Sequence, residues 1–596
     1  MTAVDYERQL RQTAPSRKQW RWANLPLVGR AKPLHVTIAL FLYLFFAVFL
    51  VWPILQIVKT GFVRQDGRFS LDYVKLIFSD PMLMRGLLNA GIVAVSVTLL
   101  ALLISLPLAV LGVRYEFPGR KLFSGLLLVP LVLPPFVGAI GIRMLLGRFG
   151  PLTTLLHGGP AGIDWTGKYR LAGIILIEAL GLYPIMLLNL QAALANIDPA
   201  MEQAAANLGA GRWTVFRKVT LPLVRPGLFA GCTLVLIWSF TELGTPMMFD
   251  YFTITPVQVF KQITEVSSNP LPYALVVVML AASALLYLVG KVLLGRPFDS
   301  ATTKASTAFT ARRLRGWKAL VATSAFGGVF VLAVLPHVSV VVTSLSTTKG
   351  WYKTVLPTKL TDAHYREALV DDLALPSVEN SILYASGATV LAVIVGLCAA
   401  TIIVRSDVPG KGIIDSLTML PLAVPGLVLS FGYLSISIWI KHKWGERTPR
   451  FLDVQEMPVV VLILAYAARR LPYVVRATVA GLQQTPRDLE LAAANLGARR
   501  HTVLGRITMP LIMANVIAGA LLAFAFAMLE VSDSLILAQR TEYYPITKAI
   551  LDLSQRLGDG LYIASALGVW AMVLLTLTIL SANALLGKKM GAVFRV

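Results

Sequence analysis

Five charged side chains lie within or at the ends of otherwise apolar stretches of this sequence: Glu242, Glu530, Asp533, Arg469 and Arg470. Charged groups in such surroundings are rare and usually functional. The two glutamates could form an acidic constriction that attracts a cation, and the arginine pair could contact an anionic ligand. Structural roles remain open. The glutamates could be helix-end carboxylates in water or beside a base, and the arginines could neutralise buried carboxylates such as Glu178.

Catalytic and cofactor motifs are absent from the sequence. It contains no GxxxxGK[ST] phosphate-binding loop, no HExxH zinc motif and no GxSxG nucleophile motif. The six histidines do not cluster at metal-ligand spacing, and the two cysteines, Cys232 and Cys398, lie in apolar runs. We therefore expect neither an enzyme nor a bound cofactor or metal in this chain.

The composition places the chain in a membrane. Of 596 residues, 56% are apolar and only 14% are charged, whereas soluble domains carry about 25% charged residues. A bilayer requires about 20 apolar residues per helix. Twelve such runs are predicted as spans: 36–58, 87–113, 122–146, 171–193, 223–245, 272–290, 319–345, 380–404, 412–440, 457–475, 511–537 and 561–587. The predicted fold is an all-α polytopic membrane protein.

The formal charge of +23 is consistent with this topology. With an even number of spans both termini lie on one side, and the excess of Lys and Arg lies in the loops of that side. The positive-inside rule therefore places both termini in the cytoplasm. The first apolar run is too long for a signal-peptide core, so it is interpreted as a retained span. We expect no nucleic-acid binding.

The chain contains an internal repeat. Residues 202–222 and 490–510 are identical at 13 of 21 positions at an offset of 288, and VRYEFPGRK (113–121) aligns with VRSDVPGKG (404–412) at an offset of 291. Glu242 aligns with Glu530, each 20 residues after the loop's final proline, which is roughly 30 Å of helix. Six spans per half give a parallel repeat with one path between the halves. The predicted organisation is a tail 1–35, a first domain 36–295, a basic linker 296–318, a second domain 319–587 and a tail 588–596.

The repeated element is a loop rather than a span. Small residues in AAANLG allow another surface to approach closely, a glycine suits a helix end, and basic residues follow. So many identities in a loop indicate a partner that both halves contact. The candidate contact residues are Glu202, Gln203, Ala204, Ala205, Gly209, Arg212, Pro222, Glu490, Ala492, Ala493, Gly497, Arg500 and Pro510.

This loop resembles the EAA loop of type I, binding-protein-dependent ABC importer permeases, E-A-A-x3-G-x9-I-x-L-P. Gln203 and Leu491 occupy the position of the family's glutamate, with a glutamate one residue earlier, and Met509 replaces leucine. The resemblance implies two fused permease domains whose loops each fit a groove on an ATPase subunit. It also implies two copies of that ATPase, which carry ATP and Mg, a separate substrate-binding protein, and a bacterial cytoplasmic (inner) membrane location.

The fused layout resembles the ferric-iron-type permease group, which includes thiamine and some phosphonate systems. The segment YAARRLPYVVRATVAGL (466–482) is similar to that group's fourth core span. We expect ferric iron as the substrate, with a phosphonate, thiamine or a polyamine as alternatives. A twelve-span secondary transporter is a more remote alternative, since neither copy of the loop after the second span fits the G-x3-D-[RK] motif of that class.

Overall fold

The computed structural model describes residues 33–63, 67–157, 167, 169–266, 269–294, 312–348 and 350–586. The described residues are mostly helical, and their one sheet is a short parallel strand pair, Tyr115–Glu116 with Arg312–Arg313. The predicted tail 588–596, residues 1–32 of the N-terminal tail and residues 296–311 of the linker lie outside this range.

The first half contains both long helices and short connecting ones. Its helical segments are Pro33–Phe46, Ala47–Val51, Trp52–Gly61, Asp72–Ser79, Pro81–Arg114, Arg120–Leu126, Val129–Val132, Pro135–Leu146, Pro151–His157, Arg170–Ala195, Pro199–Asn207, Arg212–Val215, Phe216–Thr220, Leu221–Phe240, Gly244–Met248, Thr255–Lys261, Ile263–Glu265 and Leu271–Leu294.

The second half repeats the order of the long helices and of the loop helices. Its helical segments are Trp317–Leu345, Ala363–Val370, Ala374–Arg405, Lys411–Ala423, Gly426–Trp444, Gly445–Arg447, Arg450–Leu452, Val459–Gln484, Arg487–Asn495, Arg500–Val503, Leu504–Thr508, Met509–Met528, Ser532–Leu537, Thr541–Tyr543, Ile546–Gln555 and Gly560–Leu586. Five-residue π-helical turns occur at matching places, Phe216–Thr220 and Leu504–Thr508, near the ends of the repeated segments 202–222 and 490–510.

The span count differs from the predicted twelve. Among the described residues, nine helices are long and apolar enough to cross a membrane, or up to eleven if two bent pairs each count as one. The predicted spans 122–146 and 412–440 are these pairs, bent by 94° and 102°. Leu133 and Val424 are extended at the bends because each precedes a proline, which disfavours helical geometry. The predicted span 457–475 lies on Val459–Gln484, which carries three arginines and is not one of these nine helices.

Two predicted spans also end earlier than expected. The helices assigned to 223–245 and 511–537 stop at Phe240 and Met528. Glu242 and Glu530 therefore lie in the turns that follow these helices, and each precedes a short helix, Gly244–Met248 or Ser532–Leu537.

The two halves are interlocked through their first helices. Trp52–Gly61 packs against Gly426–Trp444 of the second half, and Trp317–Leu345 packs against Pro135–Leu146 of the first. The backbones touch at both crossings. A Cβ on Gly432 would lie 2.6 Å from Cβ of Pro53, and one on Gly141 would lie 1.8 Å from the carbonyl oxygen of Pro336. One continuous buried apolar cluster consequently includes residues of both halves.

Candidate translocation cavity and coupling loops

A cavity of about 180 Å³ lies between the halves. Matching segments of each half line it: the proline bends at Pro134 and Pro425, and the turns that hold Glu242 and Glu530. Glu178, Arg469 and Arg470 complete its charged lining. The parallel repeat thus brings equivalent elements of the two halves around one shared space.

The second half contributes a neutralised ion cluster. Arg469 and Arg470 both donate to the carboxylate of Glu530, which is 3% exposed. The Nη1 of Arg469 also lies 3.7 Å from Oδ2 of Asp533, whose other oxygen accepts a hydrogen bond from Ser430. Two guanidinium groups therefore face two carboxylates, and the cluster has no net charge when all four groups are ionised.

This pairing corrects one sequence-based expectation. The suggested partner of the arginines, Glu178, forms no ion pair with a described residue; one of its oxygens accepts a hydrogen bond from Ser239 Oγ at 2.5 Å. Arg469 and Arg470 instead meet Glu530, because Val459–Gln484 packs beside Ser532–Leu537 and the turn before it.

The carboxylate of Glu242 is held by backbone amides. Its Oε1 accepts hydrogen bonds from the amides of Gly244 at 3.2 Å and Thr245 at 3.3 Å, at the N-terminus of Gly244–Met248. The matching Glu530 also caps its short helix, through the amide of Asp533 at 3.4 Å. The two glutamates differ in their ion pairs. No described Lys or Arg forms an ion pair with Glu242 or Glu178, whereas Glu530 forms ion pairs with two arginines.

The repeated loops form matching exposed helices. Pro199–Asn207 and Arg487–Asn495 bury none of their residues, and the leucines that follow, Leu208 and Leu496, are each 89% exposed. Gly209 and Gly497 have φ angles of +85° and +82°, with open space around a hypothetical Cβ. Backbone conformation rather than crowding thus accounts for glycine at these positions.

The remaining loop residues take matching places in the two halves. Gln203 and Ala204 are exposed like Leu491 and Ala492, and Ala205 and Ala493 are half-buried. Arg212 is exposed, and Arg500 opens the equivalent helix Arg500–Val503, although its side chain lies outside the described part of the structure. Pro222 and Pro510 occupy the first turn of the helices that begin at Leu221 and Met509.

The loop glutamates point inward and fasten the loops to the long helices. Glu202 accepts hydrogen bonds from Arg114 and Thr220. Glu490 accepts from Arg405 Nε at 3.2 Å and from Thr508 Oγ1 at 3.3 Å. Arg114 and Arg405 end the helices Pro81–Arg114 and Ala374–Arg405. Sequence reasoning missed both arginines, although each is the second residue of the matching segments VRYEFPGRK and VRSDVPGKG.

The relatives of this chain are transport permeases. It is 27% identical to the putative ferric transport system permease protein FbpB 1 of Haemophilus influenzae over 83% of this chain and 76% of that protein. It is 28% identical to the ferric transport system permease protein FbpB of Actinobacillus pleuropneumoniae, over 92% and 78%. It is also 37% identical to the molybdenum transport system permease protein ModB of Escherichia coli K12, over 27% of this chain and 71% of that protein.

The family described as "Binding-protein-dependent transport system inner membrane component" matches the chain twice, over residues 101–298 and 392–591. These two matches contain both exposed loops and both sides of the cavity. The chain is therefore a member of this family of inner-membrane permeases, with two copies of the family's domain fused in tandem.

Proposed function

We propose that this chain forms the complete membrane path of an ABC importer for ferric iron. The observation that supports this is the similarity to two ferric transport permeases along 83% and 92% of the chain, which includes both halves. The two domains, 36–295 and 319–587, would enclose the path at the cavity between them.

Energy would come from partners in trans. Each exposed loop helix, Pro199–Asn207 or Arg487–Asn495, would fit one copy of an ATPase subunit, and ATP and Mg would bind to those subunits. Closure of the ATPases would draw the loops together. The contacts of Glu202 with Arg114 and of Glu490 with Arg405 would then transmit this movement to the long helices.

The opposite face would receive a substrate-binding protein. From the loop prolines, Leu221–Phe240 and Met509–Met528 run away from the coupling loops towards the cavity. With both termini and both loops in the cytoplasm, as the charge distribution favours, the binding protein would deliver its ligand from the extracytoplasmic side. Each ligand can shift the equilibrium between inward-open and outward-open states only by its difference in affinity for them.

A second candidate is the import of an oxyanion. The similarity to the molybdenum permease and the presence of Arg469 and Arg470 in the cavity lining favour it. Against it, both arginines already contact Glu530, and Glu178 and Glu242 leave the cavity lining with an excess of acidic groups.

Uptake by the reconstituted transporter tests the two candidates. Proteoliposomes would contain the chain, its ATPase and its binding protein, and would be supplied with radioactive ferric iron, molybdate or a phosphonate. We expect ATP-dependent accumulation of iron alone. Accumulation of molybdate or a phosphonate without iron would contradict the proposal, and ATP hydrolysis by the isolated chain would contradict the assignment of the ATPase to a partner.

A further inference from the structure

Glu178 is a buried carboxylate with an unused oxygen. Its side chain lines the cavity between the halves, and the residue is only 1% exposed. Its Oε2 accepts the hydrogen bond from Ser239, whereas Oε1 has no partner among the described residues. A buried polar atom without a partner is unfavourable, and more so when it is charged. This arrangement would be relieved by a positively charged ligand.

Glu242 faces the same cavity and adds a second carboxylate. Its Oε1 is held by two backbone amides, and it lies within electrostatic range of Glu178. No described base forms an ion pair with either side chain, and Arg469, whose charge reaches Glu242, already contacts Glu530 and Asp533. We infer that Glu178 and Glu242 together form a binding site for a polyvalent cation on the translocation path. This inference rests on the proposed function and specifies the contact point within it.

The second half cannot provide an equivalent site. At an offset of 288, Tyr466 takes the place of Glu178, and its hydroxyl is hydrogen bonded to Ser534 Oγ at 2.6 Å. Glu530 takes the place of Glu242, but its carboxylate binds two guanidinium groups. The sequence predicted a symmetric acidic pair, Glu242 with Glu530. The cation site inferred here is asymmetric and belongs to the first half.

The small number of ligands suits a passing cation. Hard cations prefer carboxylate oxygens, but the described residues contain no group of three or more His, Cys, Asp or Glu side chains that could hold a metal ion. Two carboxylates would replace only part of the hydration shell of the cation. The site would attract the cargo without retaining it, as conduction through a path requires.

Terbium luminescence provides a direct test, because the indole of Trp238 also lines the cavity and can sensitise a bound Tb³⁺ ion. The probe is Tb³⁺ alone, added to the purified full chain in nanodiscs of zwitterionic lipid. Variants would be Glu178→Gln, Glu242→Gln and the double variant. Glu379→Gln is the matched control, since Glu379 is an exposed carboxylate on Ala374–Arg405. Glu242→Asp keeps the charge, and thermal unfolding checks that every variant is folded.

We expect the sensitised signal to fall at least tenfold in the double variant and to persist in Glu379→Gln and Glu242→Asp. Iron uptake by the complete transporter should fall in parallel. An unchanged terbium signal in the folded double variant would overturn the inference. A lost signal with wild-type uptake would also overturn it, because the site would then lie off the path. Terbium binding that depends on Glu178, in a transporter that does not import iron, would refute the iron proposal and leave the cation site standing.

Discussion

At the cavity each half packs a glycine against a larger residue, but the glycine lies on different helices in the two halves. In the first half Gly181 faces Pro135, and a Cβ on Gly181 would lie 2.8 Å from Cγ of that proline. In the second half the aligned positions hold Arg469 and Gly426, and a Cβ on Gly426 would lie 2.0 Å from Nη1 of the arginine. Each pair has one residue without a side chain, so a cationic side chain fits in one half without displacing the backbone. The backbone packing is therefore the same in the two halves, whereas the charge of the cavity lining differs between them.

The coupling loops show the opposite behaviour. Both have an inward glutamate, a long-helix arginine and a threonine in the same arrangement. Both end in a glycine with positive φ followed by a π-helical turn. Two identical ATPases would require two identical surfaces, whereas a single cargo between the halves imposes no such symmetry. The following variants test this contrast.

The largest effect is expected at the ion cluster of the second half. Glu530→Gln would leave two buried guanidinium groups without their main partner, and breaking such a pair costs about 3–5 kcal/mol. Glu242→Gln, at the aligned position, removes no ion pair and should be tolerated. Thermal unfolding of both variants in detergent measures the difference, and equal melting temperatures would contradict the structural role of Glu530.

A rescue variant sharpens this prediction. Replacing all four charges, as in Arg469→Met, Arg470→Leu, Glu530→Gln and Asp533→Asn together, leaves no unpaired charge in the cluster. Buried ion clusters replaced by apolar residues of similar volume are often equally stable. The quadruple variant should therefore regain most of the stability that Glu530→Gln loses. If it is as unstable as the single variant, packing rather than charge determines the stability of this region.

The second effect concerns the coupling loops. The double variant Gly209→Asp and Gly497→Asp should reduce uptake at least tenfold and weaken capture of the ATPase, because a bulky charge buried at an interface costs several kcal/mol if unpaired. Gly558→Asp is the matched control. Gly558 has a φ of +83° and open space around a hypothetical Cβ, so it carries the same backbone strain away from the loops. Wild-type uptake and ATPase capture by the double variant would refute the coupling role.

Much of this architecture was predictable from the sequence, and the limits have physical causes. The offset between the halves aligns Glu242 with Glu530 because the loop sequences are so alike. The partners of Glu530 were not predictable, since Arg469 lies 61 residues away on another helix and only packing brings them together. The sequence analysis placed Pro134 and Pro425 within continuous spans because membrane helices tolerate proline. In the structure the residue before each proline is extended, so the helix is broken there and not merely kinked.

A smaller effect is expected where the loops are tied to the long helices. Arg405→Met should uncouple uptake from ATP hydrolysis more strongly than Arg114→Met, because Arg405 also donates to the carbonyls of Leu482 at 3.0 Å and Thr485 at 2.9 Å. Double-mutant cycles with Glu490→Gln and Glu202→Gln would measure each pair. We expect about 1 kcal/mol for these partly exposed pairs. Additive effects in both cycles would show that the ties carry no coupling energy.

The smallest effect concerns the start of the loop helices, where the two loops differ in their capping. The side chain of Asp198 caps Pro199–Asn207 by accepting a hydrogen bond from the amide of Ala200 at 2.9 Å, whereas Pro486 occupies the aligned position before Arg487–Asn495 and offers no side-chain acceptor. Loss of such a cap costs about 1 kcal/mol. Asp198→Ala should therefore speed hydrogen exchange several-fold in the helix Pro199–Asn207, and Pro486→Asp should slow it in Arg487–Asn495. Because both helices have nine residues and none of them is buried, the changes should be similar in size and opposite in sign. Exchange that is unaffected by both substitutions would mean that contacts of the loop glutamates alone order these helices.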